Sequence, residues 1–503
     1  MKRIILIGAI LCATLTSTAA RKPSVKQLTF DASKYSEQTI NVPNKGTVKY
    51  KAYTKLYYVT NIEDSTYQYI NIYVPEGANE NTPIFLPNNI GGYMASLPGK
   101  PDAADASGRA LAEGYVVAIP GARGRTSTIT DKKGKITYTG RAPKALLDLK
   151  AAVRYLRYFD QQIPGNTERI ISDGTSAGGA MSSLLGATGN HPDYTPLLKA
   201  MGAADTRDDI FAAVCFCPIT DLEHADMAYE WLYGTTNNVT RHITEAQAEV
   251  SEQLASLYHT YLNSLNLKTP QGMSLSADNY RDYLKQLIIE SAQLAKDAGA
   301  EIPDTLGFTF SSTKRFVAPV NGGMMPDRRK TDDKKIPQMM MRSKEQGEYI
   351  VDLDLDKYLN YVVTTRALKT APAFDSKGVA GVSASGENEE FGDSKGSSVN
   401  FTDFSLQRAT NNADATLSDE IKWNVRLMNP MNYIGDDNAA TAPHWYIRHG
   451  ARDRDTAFNI PVNLALKLQN NGKDVNFRLP WNRPHSGDYA LNEMFDWIKN
   501  MCK

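Results

Sequence analysis

Cysteine is scarce in this chain, with four among 503 residues, and one of these, Cys12, falls in an N-terminal segment of distinct character. The others, Cys215, Cys217 and Cys502, are an odd number, which excludes a fully paired disulfide framework. Cys215 and Cys217 sit two apart in an apolar run. As strand neighbours they would share a face about 7 Å apart, beyond the reach of a disulfide. No C-x-x-C motif and no cluster of the seven histidines accompanies them, so buried thiols are expected rather than metal ligands. Charge of one sign is lacking too: 56 Lys and Arg balance 56 Asp and Glu. Such a chain has no net basic field to draw it onto nucleic acid or anionic lipid, and neither is expected as a partner. No apolar run is long enough to span a bilayer, so stable membrane insertion is not expected.

What is present begins with "MKRIILIGAILCATLTSTAARKPS". Lys2 and Arg3 precede a short apolar run at residues 4–13, and small residues lead to Ala19 and Ala20. That is the layout of a cleaved signal peptide over residues 1–20, and it implies export to the periplasm or the medium. Cys12 raises a lipoprotein anchor as an alternative, but the bulky Leu11 before it suits that cleavage poorly.

Residues 47–74 alternate polar and apolar side chains around the turn-rich "NIEDST", a β-hairpin pattern. Short apolar runs of strand length recur at 83–87, 115–120, 169–172, 211–218, 444–450 and 475–480. Between them, residues 143–163 place Leu146, Leu149, Val153, Leu156 and Phe159 on one helical stripe, with charges opposite. Strands alternating with helices predict an α/β fold with a mostly parallel central sheet covered on both faces. The alternation stops between residues 222 and 428. That stretch holds two long helical patterns, at 244–265 and 276–298, then a charged Gly- and Pro-rich loop at 320–338. The basic run near Arg328 to Lys335 is interrupted by acids and reads as a solvated loop, and the "MMM" at 339–341 as packing. Leaving and re-entering a sheet in this way builds a mainly helical lid over a site. The expected organisation is core at 21–221, inserted lid at 222–428 and core again at 429–503.

Within "RIISDGTSAGGAMSSLL", Ser176 follows a strand-like run and precedes a helix-like one. A serine on a sharp strand-to-helix turn is lifted clear of the sheet, with its hydroxyl at a helix N-terminus. The backbone amide of Ala177 is then suited to a developing oxyanion, and Gly92 in "NNIGGYM" supplies a second amide that no side chain obstructs. Serine needs a base oriented by an acid, and sheets of this kind carry them in the order Ser, acid, His. His485, in "LPWNRPHSGDYA", is the histidine beyond the last acid candidates. "HWYIRHGARDRD" offers Asp453 as the acid, with Asp221 in "CPITDL" as runner-up. These residues predict a Ser-His-Asp hydrolase transferring an acyl group to water, chemistry that requires no metal or organic cofactor.

The segments "NNIGGYM", "SDGTSAGGAMSSLLGATGN", "CPITDLEHADMAYEW", "LKTAPAFD", "SGENEEFG", "RHGARDRD" and "PHSGDY" span nearly all of the mature chain. In this set the chain resembles the subtype B bacterial tannases, tannin acyl hydrolases of the α/β-hydrolase superfamily. The resemblance implies an α/β-hydrolase core under a large lid, with Ser176 as nucleophile, Asp453 as acid and His485 as base. It also implies a galloyl-binding trio of Lys369 and Glu387 from the lid and Asp455, two residues past the triad acid. A galloyl ring carries three adjacent phenolic hydroxyls that can donate to carboxylates and accept from an ammonium. A ring lacking them would leave buried charged groups unpaired. The expected partner is therefore a small polyphenol ester. A hydroxycinnamate or simple carboxylesterase, a serine peptidase and a non-catalytic polyphenol-binding protein remain as competing readings.

Overall fold

The computed structural model describes residues 25–234, 236, 241, 243–313, 348–364 and 367–503. The signal segment, the charged loop at 320–338 and the "MMM" run therefore lie outside the described residues. Five strands come early: β1 (Ser36–Val42), β2 (Gly46–Tyr57), β3 (Tyr69–Pro75), β4 (Pro83–Pro87) and β5 (Val116–Pro120). A small hairpin, β6 (Thr128–Thr130) and β7 (Ile136–Tyr138), precedes β8 (Asn166–Thr175) and β9 (Ala212–Phe216). A second hairpin, β10 (Phe308–Ser311) and β11 (Tyr349–Leu353), is followed by β12 (His444–Arg448) and β13 (Asp474–Arg478).

Nine of these strands form one sheet in the order β1-β2-β3-β5-β4-β8-β9-β12-β13. The six from β5 to β13 in that order run parallel, and β1, β2 and β3 add an antiparallel edge. All five residues of β5 and of β9 are buried, as a strand covered on both faces requires. Alternate side chains feed two cores. Ile84, Ile170, Ala213 and Ile447 pack under helices Lys144–Tyr158, Ala177–Ala187 and Asn459–Asn470. Phe85, Ile171, Val214 and Tyr446 pack on the other face with helices Ala106–Ala112 and Leu491–Met501. Strand β1, whose sequence "SEQTINV" is largely exposed, carries too weak a hydrophobic pattern to be foreseen.

Helix Lys144–Tyr158 departs from expectation on its polar side. Leu146, Leu149, Val153 and Leu156 are buried, but so are Asp148, Lys150 and Arg154. Asp148 pairs with Arg123, and Lys150 and Arg154 share Asp208. Chain from residues 195–210 and the Arg123 loop cover this face, and charges buried there must be paired.

Among the described residues, the chain between β9 and β12 adds no strand to the main sheet and is mainly helical. It packs on the core: Tyr258, Tyr280, Leu284 and Tyr358 belong to the same buried cluster as Leu184 and Leu464. Tyr280 donates to Asn463 Oδ1 at 2.5 Å, and Tyr358 donates to Ala451 O at 2.6 Å. Among the described residues no helix is long and apolar enough to cross a membrane.

Candidate active site

Strand β8 ends at Thr175 and the next helix begins at Ala177. Ser176, between them, has φ 62° and ψ −121°, a backbone state that costs a non-glycine residue about 1–3 kcal/mol. Its surroundings hold it there. Ser176 N donates to Phe216 O at 3.0 Å, and Ser176 O accepts from Ala180 N and Ile219 N. The neighbouring glycines are required sterically. A Cβ on Gly174 would lie 2.2 Å from Gly178 O, and one on Gly178 would lie 2.8 Å from Asn88 Oδ1 and 2.9 Å from Ile90 O. A Cβ on Gly179 would lie 2.5 Å from Phe216 O. The helix is therefore pressed against the sheet and against the loop carrying Gly91 and Gly92.

His485 lies in the loop between β13 and helix Leu491–Met501. Its Nε2 is 2.8 Å from Ser176 Oγ and its Nδ1 is 2.8 Å from Asp453 Oδ2. Asp453 is fully buried, and its Oδ1 accepts from Asp455 N at 2.9 Å. Burial works against the His485 imidazolium, but hydrogen bonding to Asp453 and contact with Cys217 outweigh it, so the imidazole is raised above its ordinary 6.5. Burial likewise opposes the Asp453 carboxylate, yet His449 and His485 hold this acid below its usual value. With Asp453 ionised, Nδ1–H donates to it and Nε2 is free to accept from the serine hydroxyl. Asp221, the runner-up, is engaged elsewhere. It accepts from Tyr261 OH at 2.5 Å and Asn429 Nδ2 at 2.7 Å, and lies 2.7 Å from His224 Nδ1.

Two neighbours of this trio escaped sequence reasoning. His449 is wholly buried 3.6 Å from Asp453 Oδ2. Cys217 does not share a strand face with Cys215. It lies one residue past the end of β9 with φ 34°, and its Sγ is 4.0 Å from His485 Nε2. The strand ends before the second thiol, so period-two reasoning fails there. Cys217, Asp453 and His485 offer ligand atoms within 4.8 Å of one another, but Asp453 and Ser176 already engage both ring nitrogens of His485.

Ala177 N opens its helix, where an amide has no intrahelical acceptor. Gly92 has φ 54°, and its carbonyl accepts from Arg125 Nε at 2.7 Å. Arg125 also pairs with Glu389. It thereby ties the Gly92 loop to the short helix Gly386–Glu390, a link no motif announced.

That helix brings Glu387 to the site. Of the three neighbouring glutamates, Glu389 is held by Arg125, and Glu390 is fully buried, its acid pushed up to about 8 by burial. Glu387 instead acts on Lys369 and on Tyr93, beside Gly92. Burial draws the Lys369 ammonium below its ordinary value, against the opposing pull of Glu387, Asp455 and Asp226. The ammonium sits 3.7 Å above the centre of the Phe374 ring, a cation–π contact. Asp455 pairs with Arg454 at 2.9 Å. The structure thus brings Lys369, Glu387 and Asp455 into one electrostatic group, with Asp455 two residues from Asp453.

A buried polar frame sets this segment. Lys369 N donates to Tyr229 OH at 3.3 Å, and Lys369 O accepts from Arg241, which is itself paired with the buried Glu230. Asp226 accepts from Phe374 N and Asp375 N at 2.7 and 3.0 Å. Asp375 accepts from Asn388 and Asn400 side chains and from Phe401 N and Thr402 N. These partners are scattered from residue 226 to 402, which is why no local pattern revealed them.

Comparison with known proteins agrees with this architecture. Residues 70–262 match the family described as BD-FAE, and no curated protein matches the chain. The tannase of Fusobacterium nucleatum is 38% identical, covering 95% of this chain and 100% of that one, with a TM-score of 0.79. The tannin acyl hydrolase of Lactobacillus plantarum is 35% identical, covering 94% and 98% with a TM-score of 0.78, and a tannin acyl hydrolase in complex with ethyl gallate matches with the same figures. A complex of a tannin acyl hydrolase with 3,4-dihydroxybenzoate is 36% identical over the same shares, also at 0.78. Identity at this level over nearly the whole of both chains identifies the protein as a member of the tannase family, a carboxylic ester hydrolase of the α/β-hydrolase fold.

Proposed function

We propose that this chain hydrolyses galloyl esters, those of tannins and of simple gallates, through an acyl-enzyme on Ser176. The observation that carries the reading is the continuous chain of hydrogen-bond distances from Ser176 Oγ through His485 to Asp453. The trio of Lys369, Glu387 and Asp455 beside it supports the galloyl preference.

Ser176 Oγ attacks the ester carbonyl carbon while His485 Nε2 takes its proton. Negative charge on the carbonyl oxygen is met by the amides of Ala177 and Gly92. The tetrahedral adduct collapses, the C–O bond to the alcohol breaks, and His485 returns the proton to the departing oxygen. Water, deprotonated by His485, then attacks the acyl-enzyme and releases the free acid and Ser176. Asp453 keeps the imidazole oriented and stabilises its charged form. Lys369, Glu387 and Asp455 bind the ring hydroxyls, with residues 222–428 as the lid that carries the first two. The small-residue exit of residues 1–20 supports export before the enzyme meets its substrate.

Hydrolysis of methyl gallate, methyl protocatechuate and methyl ferulate by wild type and Ser176→Ala tests this reading. Gallate is expected to lead and ferulate to trail, since ferulate lacks the third free hydroxyl. Ser176→Ala is expected to abolish turnover of all three. Ferulate leading would remove the galloyl assignment and keep the triad; binding of gallate without turnover by wild type would remove the enzyme mechanism.

A further inference from the structure

Asp453 is a buried carboxylate that must stay ionised and fixed for His485 to act as a base. Asp455 N donates to its Oδ1, and His485 Nδ1 meets its Oδ2. Oδ2 has a second neighbour. His449, the residue that follows β12, places Nδ1 3.6 Å from it.

The backbone turns so as to bring the two together. His449 N donates to Arg478 O at 3.2 Å, which keeps the residue beside the end of β13. Asp453 N then donates to Gly450 O at 2.9 Å, closing a turn that returns the carboxylate to the imidazole. Ala451 N and Arg452 N donate to Pro480 O and Arg483 O, both at 3.0 Å, so the turn is stitched to the loop that carries His485.

His449 is wholly buried with the Phe458 ring edge-on to it, and neither of its ring nitrogens has a hydrogen-bond partner among the described residues. Such nitrogens cost stability, and an aliphatic side chain would fill the space without that cost. Burial, with His485 nearby, draws this imidazole below its ordinary 6.5 against the pull of Asp453 and Asp455. Near neutrality it is therefore uncharged and has one N–H to place. Nδ1 faces an ionised oxygen and Nε2 has no partner, which favours the tautomer with the proton on Nδ1. The separation is about half an ångström longer than a hydrogen bond, a gap of the kind that catalytic groups close once substrate is bound.

We propose that His449 is a positioning residue for the catalytic acid, its Nδ1–H directed at Asp453 Oδ2 so that the carboxylate is fixed on both oxygens against His485. The proposal rests on the esterase reading above. With Oδ1 on Asp455 N and Oδ2 between two imidazoles, the carboxylate resists rotation and keeps His485 in the tautomer that accepts from Ser176. The same N–H turns positive charge toward His485, so it restrains the imidazolium that Asp453 favours. The other titratable groups here are Cys217, beside His485, and the phenols of Tyr233 and Tyr489. Burial raises both phenols above their ordinary value, so they stay protonated across the acid limb.

The test is the pH profile of kcat and KM on methyl gallate for wild type, His449→Leu and His449→Asn, whose amide can present an N–H where Nδ1 stood. His449→Leu is expected to lower kcat about tenfold, the worth of one hydrogen bond to a charged group, with KM unchanged. Its acid limb is expected to move to higher pH by about one pH unit, because the His485 imidazolium is no longer opposed. His449→Asn is expected to restore the limb and most of the rate. A limb that stays in place or moves down in His449→Leu, whatever the rate, reduces His449 to packing and overturns the proposal. If His449→Leu does not fold, NMR of wild type labelled at the histidine nitrogens decides, with the His449 signals assigned by their loss in His449→Asn. A proton on Nδ1 is expected there, and a proton on Nε2 overturns the proposal. Absence of methyl gallate turnover by wild type would sink the esterase reading itself, and the same spectra would still judge the orientation of His449.

Discussion

His485 shows how one residue is tuned by two neighbours. Its imidazole is raised because the Asp453 hydrogen bond and the Cys217 contact exceed the penalty of burial. Catalysis needs Nε2 unprotonated, so activity is lost as pH falls through the folded-state pKa. The acid limb of the kcat/KM profile on methyl gallate is therefore expected above the ordinary histidine value of 6.5. Asp453→Asn removes the charge that favours the imidazolium. The limb should move to lower pH while the plateau drops by on the order of 10⁴-fold, because the amide no longer enforces the productive tautomer. A limb that stays in place would mean that Asp453 is not what raises His485.

At the scale of elements, the decisive contact is between helix Ala177–Ala187 and the loop that carries Gly91 and Gly92. Gly178 lets them touch, with Asn88 and Ile90 occupying the space of its missing side chain. Asn88 Nδ2 lies within 3.0–3.1 Å of Asp173 O, Gly178 O and Ser182 Oγ, locking the two pieces together. Gly178→Ala must push the loop away. It should lower melting stability by about 1–3 kcal/mol and reduce kcat about 10²-fold through a displaced oxyanion donor. A variant with wild-type kcat would show that the loop supplies no such donor. Two helices of the insertion were legible from their 3.6-residue periodicity, and residues 244–265 and 276–298 indeed contain helices Glu245–Ser264 and Tyr280–Asp297. A capping box at Thr244 and Gln247 marks the start of helix Glu245–Ser264 by local chemistry. The burial of Lys150 and Arg154 was not legible, because it depends on Asp208 arriving from a distant segment.

At the scale of the whole molecule, the N-terminal segment predicts its own removal. The proposed cleavage of residues 1–20 is expected to leave a chain beginning at Arg21, and N-terminal sequencing checks this; a chain that keeps Met1 would exclude cleavage. The sequence by itself determined the α/β class, because strand-length apolar runs alternating with amphipathic helices have few other solutions. It also marked Ser176, since small residues crowd a strand-to-helix turn for a steric reason that is local. The order of Ser176, Asp453 and His485 along the chain followed from the direction in which such a sheet is wound. Tertiary structure separated the acid the sequence preferred from its runner-up, turning Asp221 toward Tyr261 and Asn429 and leaving Asp453 2.8 Å from His485. It alone placed His449 and Cys217 beside the triad and set Lys369 over Phe374 within reach of Glu387. Periodicity and turn chemistry act over a few residues, whereas these contacts join segments tens to hundreds of residues apart. Only the packed fold brings such segments within the few ångströms over which hydrogen bonds and buried charges act.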